Sequence, residues 1–587
     1  MTKISNKLRV SALAAVAICS LTTFAVSPSQ TLPVMTIDTE NGVPITSKET
    51  YLNATYWLDP CGTEGVSALG SAEAPLSLQI RGRGNYTWVG FDKKPYRLKF
   101  TDKAAFLGME KSKHFGLLAN TDDDLGFMRN ILGFELSRRL GLAWTPAAEP
   151  VEVILNNDYI GLYFATELIR VDSKRVNIVE QADNITDPEA ITGGWLVEID
   201  NYDTDPHITI TEGNGERIIF TYKTPEVLST EQASWLSEQM SAINAAIYST
   251  DKTSSDWEQY VDMDALARYY IVQELLDDCE SFHGSCYMYR DLGADKKWIF
   301  GPVWDFGNAY RRGYSGKFIW DEPAFNQTWI GEIYKFPRFQ QHVREVWKEF
   351  CETGYSGIGD YITRQAERIS AAAVKSNERW PQYGNNDVVA SAKNVKDLFN
   401  SRVAWLGKQW GTQPIPDTPE YTVYLRGELN GWGNSHPLTY DNKTGVYSIE
   451  NVDIDKEFKF ATEDWKTIDL GGDGQTPVEL NKEYQLVTPG QNLTIKDNQP
   501  LYGVKVEVNP NTKTLLISND QGVDDIATEG SDHSWRITGL SISAPNHIDV
   551  YNAVGALVSS GRGHISLPAA GFYIVVEGNN VAKIAAR

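Results

Sequence analysis

Two acids carry the strongest chemical signal in this sequence. Glu280 stands in the run Asp277-Asp278-Cys279-Glu280-Ser281-Phe282-His283-Gly284-Ser285, and Asp305 in Gly301-Pro302-Val303-Trp304-Asp305-Phe306-Gly307-Asn308. Acids at the mouths of adjacent elements can hold a divalent metal and orient a hydroxyl nucleophile. That arrangement suits phosphoryl transfer, where positioning and charge neutralisation carry most of the catalysis. Opposite charge comes from Arg81-Gly82-Arg83-Gly84-Asn85 and from Lys93-Lys94-Pro95-Tyr96-Arg97-Leu98-Lys99-Phe100. Glycines between two strands let backbone N–H groups approach an anion while arginine and lysine face it. The same residues would also make an ordinary hairpin with solvated basic side chains. Asp122-Asp123-Asp124, ahead of Arg129-Asn130, could take a cation through oxygen ligands, but fits better as a helix start, where carboxylates favour the positive dipole end. Glu167 closes an apolar run and either pairs with a lysine or is solvated at the strand end.

The elements that must position these groups are legible from hydrophobic periodicity. A helix over 265–276 runs into the Glu280 segment; a strand at 286–290, a turn and a strand at 298–300 then lead to Asp305. Strand-like runs dominate earlier, at 76–80, 96–100, 151–155 and 161–166, and helical periodicity later, at 231–248, 257–276 and 361–375. A strand-rich lobe followed by a helix-rich lobe is an α+β arrangement, with the cleft between lobes as the natural site.

The whole chain bounds these readings. Its 587 residues suggest three or four domains at roughly 150 residues each. With 42% hydrophobic and 22% charged residues it is globular rather than disordered. The 77 acids against 54 bases, net charge −23, exclude a nucleic-acid sleeve and attachment to anionic lipid by charge alone. Lys3, Lys7 and Arg9 ahead of the apolar run 10–18 read as a signal peptide over residues 1–27, so the chain is expected to be exported to the periplasm, cell surface or medium. No later stretch is long and apolar enough to span a membrane. The remaining cysteines, Cys61, Cys279, Cys286 and Cys351, match no zinc spacing. A Pro-rich linker at 413–420 and an acidic linker at 519–534 divide the chain into blocks of 33–412, 421–518 and 535–587. The second shows alternating runs and turn clusters of a β-sandwich.

Taken together, Leu32-Pro33-Val34, the run from Arg81 to Phe100, the stretch 126–130, the hairpin 157–167 and Gly301 to Phe306 resemble the CotH kinase family of atypical protein kinases, over about residues 32–406. The resemblance implies a two-lobed protein-kinase-like fold that binds ATP with Mg²⁺ or Mn²⁺ and phosphorylates Ser or Thr of a protein substrate. It implies Lys94 or Lys99 as the phosphate-contacting lysine and places the turn of Arg81, Arg83 and Asn85 over the nucleotide. Glu167 would pair with that lysine or line the adenine pocket, Glu280 and Asp305 would be catalytic, and Asp305 with Ser285 would hold the metal. The family often has Asp where this chain has Glu280, Asn where it has Ser285, and an acid at Gly307.

The second block resembles the starch-binding β-sandwiches of outer-membrane proteins. Tyr424 to Trp432 carries that likeness, with Lys459 and Trp465, and implies polysaccharide stacked on Trp432 and Trp465; both tryptophans would serve equally well as core. The final block resembles the type A sorting domain of the type IX secretion machinery of Bacteroidetes, through 548–555, 571–576 and Lys583. Two alternatives stand beside the kinase: a catalytically degenerate surface protein that binds polysaccharide, and a glycoside hydrolase using Glu280 and Asp305 as its carboxylate pair.

Overall fold

The computed structural model describes residues 26–586 except 122, 312, 322–326, 384–386, 417–420, 520–533, 553–554, 570 and 579. Residues 1–25 of the signal-peptide reading, Asp122, half of the Pro-rich linker and most of the acidic linker therefore lie outside the described residues. Two compact units are present, residues 1–413 and 414–587. The architecture is mixed α+β.

The first unit begins with a closed seven-stranded barrel. Its strands are β1 (Val34–Thr39), β2 (Leu52–Asp59), β3 (Leu76–Gly82), β4 (Tyr96–Ala104), β5 (Ser112–Leu118), β6 (Ala148–Leu155) and β7 (Asp158–Glu167). The order around it is β1-β2-β3-β4-β5-β7-β6, closed by parallel pairing of β1 with β6. Period-two alternation decides which side chains enter the barrel: Leu78 and Ile80, Leu98 and Phe100, Phe115 and Leu117 face inward. Gln79, Arg81, Arg97, Lys99 and His114 are left outside. β7 is buried on both faces, because Tyr163 and Ala165 fill the barrel while Leu162 and Phe164 join the helical core. Between β3 and β4 the chain forms a short helix, α1 (Tyr86–Gly90), rather than the plain hairpin turn that the glycines suggest.

The rest of the unit is a five-stranded sheet wrapped by helices. Its strands are β8 (Trp195–Asp200), β9 (His207–Thr211), β10 (Arg217–Thr224), β11 (Cys286–Arg290) and β12 (Ile299–Phe300), in the order β12-β11-β8-β10-β9. The helices are α2 (Arg129–Arg139), α3 (Thr230–Ile247), α4 (Met263–Leu275), α5 (Ile330–Ile333), α6 (Pro337–Glu349), α7 (Ile358–Arg379) and α8 (Val388–Trp410). The helix expected over 257–276 is interrupted: Asp262 caps α4 by accepting the N–H of Ala265 at 2.9 Å, and residues before it form a separate 3-10 turn.

Arg402 of α8 locks the end of α4 in place. Fully buried, it donates to Glu274 O and Lys317 O, each at 2.6 Å, and to the Glu274 carboxylate, and lies 3.5 Å from Asp277. Asp277 in turn accepts from Ser315 N at 2.8 Å and Ser315 Oγ at 2.9 Å. Cys61, Cys279, Cys286 and Cys351 form no disulfide.

In the second unit, a three-stranded and a five-stranded sheet share a core that includes Val423, Leu425, Phe460, Val506 and Ile517. A further antiparallel sheet (Arg536–Thr538, Ser541–Asn552, Leu557–Ser566, Gly571–Glu577, Asn580–Ala586) surrounds Trp535, Val550, Val575 and Ile584.

Candidate functional site

Three chain segments bring acids together. β8 ends at Asp200 and continues into Asn201 and Tyr202; α4 ends into Asp277, Asp278 and Glu280; β12 ends into Trp304, Asp305 and Asn308. Glu280 is held by two amides, accepting from Asn201 Nδ2 at 3.1 Å and from Asn308 Nδ2, while its own N–H donates to Asp278 Oδ1 at 3.2 Å. Burial raises the Glu280 carboxyl, although both amides and Arg311 favour its ionised form. Asp278 is buried, and its carboxyl is raised well above the usual range by burial first and then by Glu280, Asp305 and Asp277. These acids therefore oppose one another's ionisation, which favours positive charge beside them.

Backbone geometry fixes the Asp305 loop. Asp305 is left-handed, with φ 57°, a conformation that costs a non-glycine residue energy and is found where surrounding contacts enforce it. One such contact is the Phe306 N–H, which donates to Asn130 Oδ1 at 3.0 Å. Another is Gly133 on α2, where a methyl group would overlap the Phe306 ring. Neighbouring Arg129 donates to Ala309 O at 2.7 Å and pairs with Asp123 at 3.1 Å and Asp124 at 2.6 Å. Asp123 also accepts the N–H of Arg129, the first residue of α2, so this acid serves the helix start.

Arg83 brings basic charge to these acids. Its guanidinium lies over the Trp304 ring at 5.1 Å and against Gly116, where a Cβ would come 2.8 Å from Nη1. Burial lowers its pKa, and Asp305 followed by Tyr287 opposes that shift. Behind Arg83, Glu198 on β8 forms a 2.9 Å ion pair with Lys223 and lies opposite Tyr287 on β11.

The other expected residues are distributed as follows. Arg81 lies outside the barrel, 3.7 Å from the exposed Glu49. Asn85 accepts from Lys48 Nζ at 2.5 Å. Lys94 donates to Trp88 O at 2.6 Å, and Lys99 is exposed on β4. The buried lysine of the run is Lys93, which donates to Leu162 O at 2.6 Å and Ala119 O at 2.9 Å. Glu167 is buried; it accepts the Ala147 N–H at 3.0 Å and lies 3.9 Å from Arg175, so its cationic neighbour is an arginine and not a lysine of the 93–99 run. Ser285 is left-handed, with φ 51°, and precedes β11. The structure thus gathers Glu280, Asp305 and Arg83, and adds Asp200, Asp278, Asn201 and Asn308. Asp200-Asn201-Tyr202 at the end of an apolar run was the available sequence signal for the first of these.

Among the described residues no group of three or more His, Cys, Asp or Glu is arranged to hold a metal ion. The donor set nevertheless suits one kind of metal. Mg²⁺ is usually held by one or two carboxylates together with substrate phosphates and water, not by an all-protein cage. Mutually repelling, oxygen-only donors such as Asp278 and Asp305 match that pattern.

In the second unit, the Trp432 and Trp465 rings lie 6.4 Å apart at 39°. Lys459 Nζ is 6.0 Å from the Trp465 ring and pairs with Asp469. Arg426 stacks on the same ring at 4.5 Å.

A family model described as CotH kinase protein matches residues 79–406, more than half of the chain. It starts on β3 and ends in α8, so it covers the Arg83 turn, the Glu280 and Asp305 loops and the Arg402 lock. Residues 414–587 lie outside it. Comparison with curated proteins gave no match. No helix among the described residues is long and apolar enough to cross a membrane. With its basic strands and its acidic loops both inside the matched region, the chain belongs to the CotH kinase protein family.

Proposed function

We propose that this protein transfers the γ-phosphoryl group of ATP to a Ser or Thr hydroxyl of a protein substrate. The observation that carries the reading is the meeting of Asp278, Glu280 and Asp305 with Arg83 across one site. The barrel and the helix-wrapped sheet act as the two lobes of a kinase-like fold, with the nucleotide between them. Glu280, raised by burial and held by Asn201 and Asn308, orients the acceptor hydroxyl and takes its proton as oxygen attacks phosphorus. The bond from the γ-phosphorus to the bridging oxygen breaks, and ADP leaves. Asp305 and Asp278 would hold Mg²⁺ or Mn²⁺, which supplies neutralisation of phosphate charge. Arg83 offers a planar fork to phosphate oxygens.

We set this chemistry outside the cytoplasm, a reading supported by the sequence of the flanking segments. Residues 1–27 direct export, and residues 535–587 act as a sorting tail for type IX secretion. The sandwich of residues 421–518 binds polysaccharide. For that second activity the supporting observation is local: Trp432 and Trp465 both adopt left-handed backbones, φ 64° and 56°, side by side. Strain of this kind on two bulky residues is characteristic of functional sites.

The test is incubation of the purified chain with labelled ATP and Mg²⁺ or Mn²⁺, beside Asp305→Ala and Glu280→Ala. Label on protein, lost in both variants, is the expected result. Absence of label transfer overturns the kinase reading, whether or not the nucleotide binds. Retention on polysaccharide, lost in Trp465→Ala, tests the sandwich separately.

A further inference from the structure

The outer face of β3, β4 and β5 concentrates basic side chains that phosphoryl transfer, as assigned to Glu280 and Asp305, leaves without a role. Arg81 lies directly opposite Arg97, Arg97 opposite Gly116, and Lys99 opposite His114. Like charges facing one another across strands are destabilising, and acidic relief is thin. Glu49, beside Arg81, is 79% exposed, and on Arg97 the repulsion of Arg81 and Arg170 outranks the attraction of Glu226. Arg81 and Lys99 both lie over the Tyr51 ring instead, at 5.1 and 5.9 Å.

Hydrogen bonding on this face is incomplete. Arg81 Nε, Arg83 Nη1, Arg97 Nε and His114 Nδ1 are buried atoms with no hydrogen-bond partner among the described residues. Buried donors are almost always satisfied, because an unmade bond costs the full desolvation of the group. Three arginine donors of this kind on one sheet face mark a surface built for an acceptor from outside the chain. His114 is pushed down to about 4, by burial and then by Arg170, Arg97, Lys99 and Arg175, so it contributes a neutral ring there. The face runs on into the Arg83 turn, since Arg83 Nη1 would lie 2.8 Å from a Cβ on Gly116, the residue that pairs with Arg97, and Asp305 acts on Arg83 in turn.

We propose that Arg83, Arg97 and Arg81 form an arginine ladder that holds the polyphosphate of the nucleotide, in place of a phosphate-binding lysine. The ladder rests on the phosphoryl-transfer reading, since it takes the polyphosphate to be that of ATP. The lysines of the run are otherwise engaged: Lys93 with two buried carbonyls, Lys94 with Trp88 O, and Lys99 at the exposed end of the row. A guanidinium fork matches phosphate oxygens two at a time, which an ammonium does not.

Binding of inorganic tripolyphosphate and of ATP to the full chain, by calorimetry and thermal shift, tests the ladder. The wild-type chain binds tripolyphosphate with an affinity that falls as salt rises. Arg97→Met weakens that binding about tenfold to a hundredfold, and Arg97→Lys, which keeps charge without the fork, weakens it less. Neither variant lowers the melting midpoint in ligand-free buffer, because a repelled charge or an unpartnered donor is removed; a purely structural arginine would lower it. Lys94→Met and Lys99→Met bind as the wild type does. Wild-type affinity in Arg97→Met, loss of binding in Lys94→Met, or no tripolyphosphate binding by the wild type each overturns the ladder. Tripolyphosphate binding that depends on Arg97, without label transfer from ATP, leaves the ladder standing and overturns the kinase reading. Unimpaired label transfer by Arg97→Met does the reverse.

Discussion

Arg402→Met is expected to be among the most destabilising single changes available near the site, and its size follows from what the guanidinium holds. Arg402 and Glu274 both have no exposed side-chain surface, and the Glu274 carboxyl is pushed up to about 7 by burial even with Arg402 beside it. Removing one member of a buried pair leaves the other charge uncompensated, at about 3–5 kcal/mol. The Glu274 and Lys317 carbonyls lose their 2.6 Å donors at the same time. In Arg402→Met/Glu274→Leu the stranded charge is gone, and the residual loss falls to about 1–3 kcal/mol from the carbonyls. The double variant should therefore be about 2 kcal/mol more stable than Arg402→Met alone. Urea unfolding followed by tryptophan fluorescence is a suitable assay, because Trp405 lies 4.7 Å from the Arg402 guanidinium. A loss below about 1 kcal/mol for Arg402→Met, or a double mutant less stable than the single, would refute the argument from buried charge.

Three further outcomes are expected. Lys93 is pushed down to about 7 by burial, so between that pH and the free-lysine value the unfolded chain binds more protons than the folded one, and stability rises with pH; the wild-type minus Lys93→Met stability difference should grow across this window, by at most about 5 kcal/mol. Asp278→Asn removes one of the mutually repelling acids, so it should raise the melting midpoint in metal-free buffer while abolishing added stabilisation by Mg²⁺ with ATP. Gly133→Ala drives a methyl group into the Phe306 ring and should cost about 1–3 kcal/mol; because the same ring anchors the Asp305 loop, label transfer should fall by more than folding does.

How much of this was readable in the sequence depended on distance along the chain. The strand at 286–290 is β11, and Glu280 and Asp305 flank the β11–β12 hairpin, so short-range pattern was enough to bring them together. The side on which each residue of the basic run falls was not readable. Alternation along β4 sends Tyr96, Leu98 and Phe100 inward and Arg97 and Lys99 outward, but Lys93 and Lys94 precede the strand, where α1 redirects the chain. Lys93 is consequently the buried member, and Arg97 shares the face of Arg81. Asn201, which holds Glu280, is 79 residues away from it, and Arg402 is 128 residues from Glu274. Neither carries a local signature, because an amide on a loop and an arginine on an amphipathic helix look alike wherever they point. The twist of Trp432 and Trp465 into left-handed backbone was equally invisible, since nothing in their neighbours demands it.

Closure of the barrel has a consequence for the order in which the chain assembles. β1 is the first strand made among the described residues, yet one of its two neighbours is β6, paired in parallel from Val34 opposite Glu152 to Ile37 opposite Leu155. Until residues 148–155 arrive, the sheet is an open ribbon whose two edges, β1 and β5, are free to pair with another chain. A molecule threaded through a membrane from its N-terminus would hold that ribbon open throughout passage of the whole basic run. The basic strands and the seam would then be completed together, on the far side, once β6 and β7 have followed.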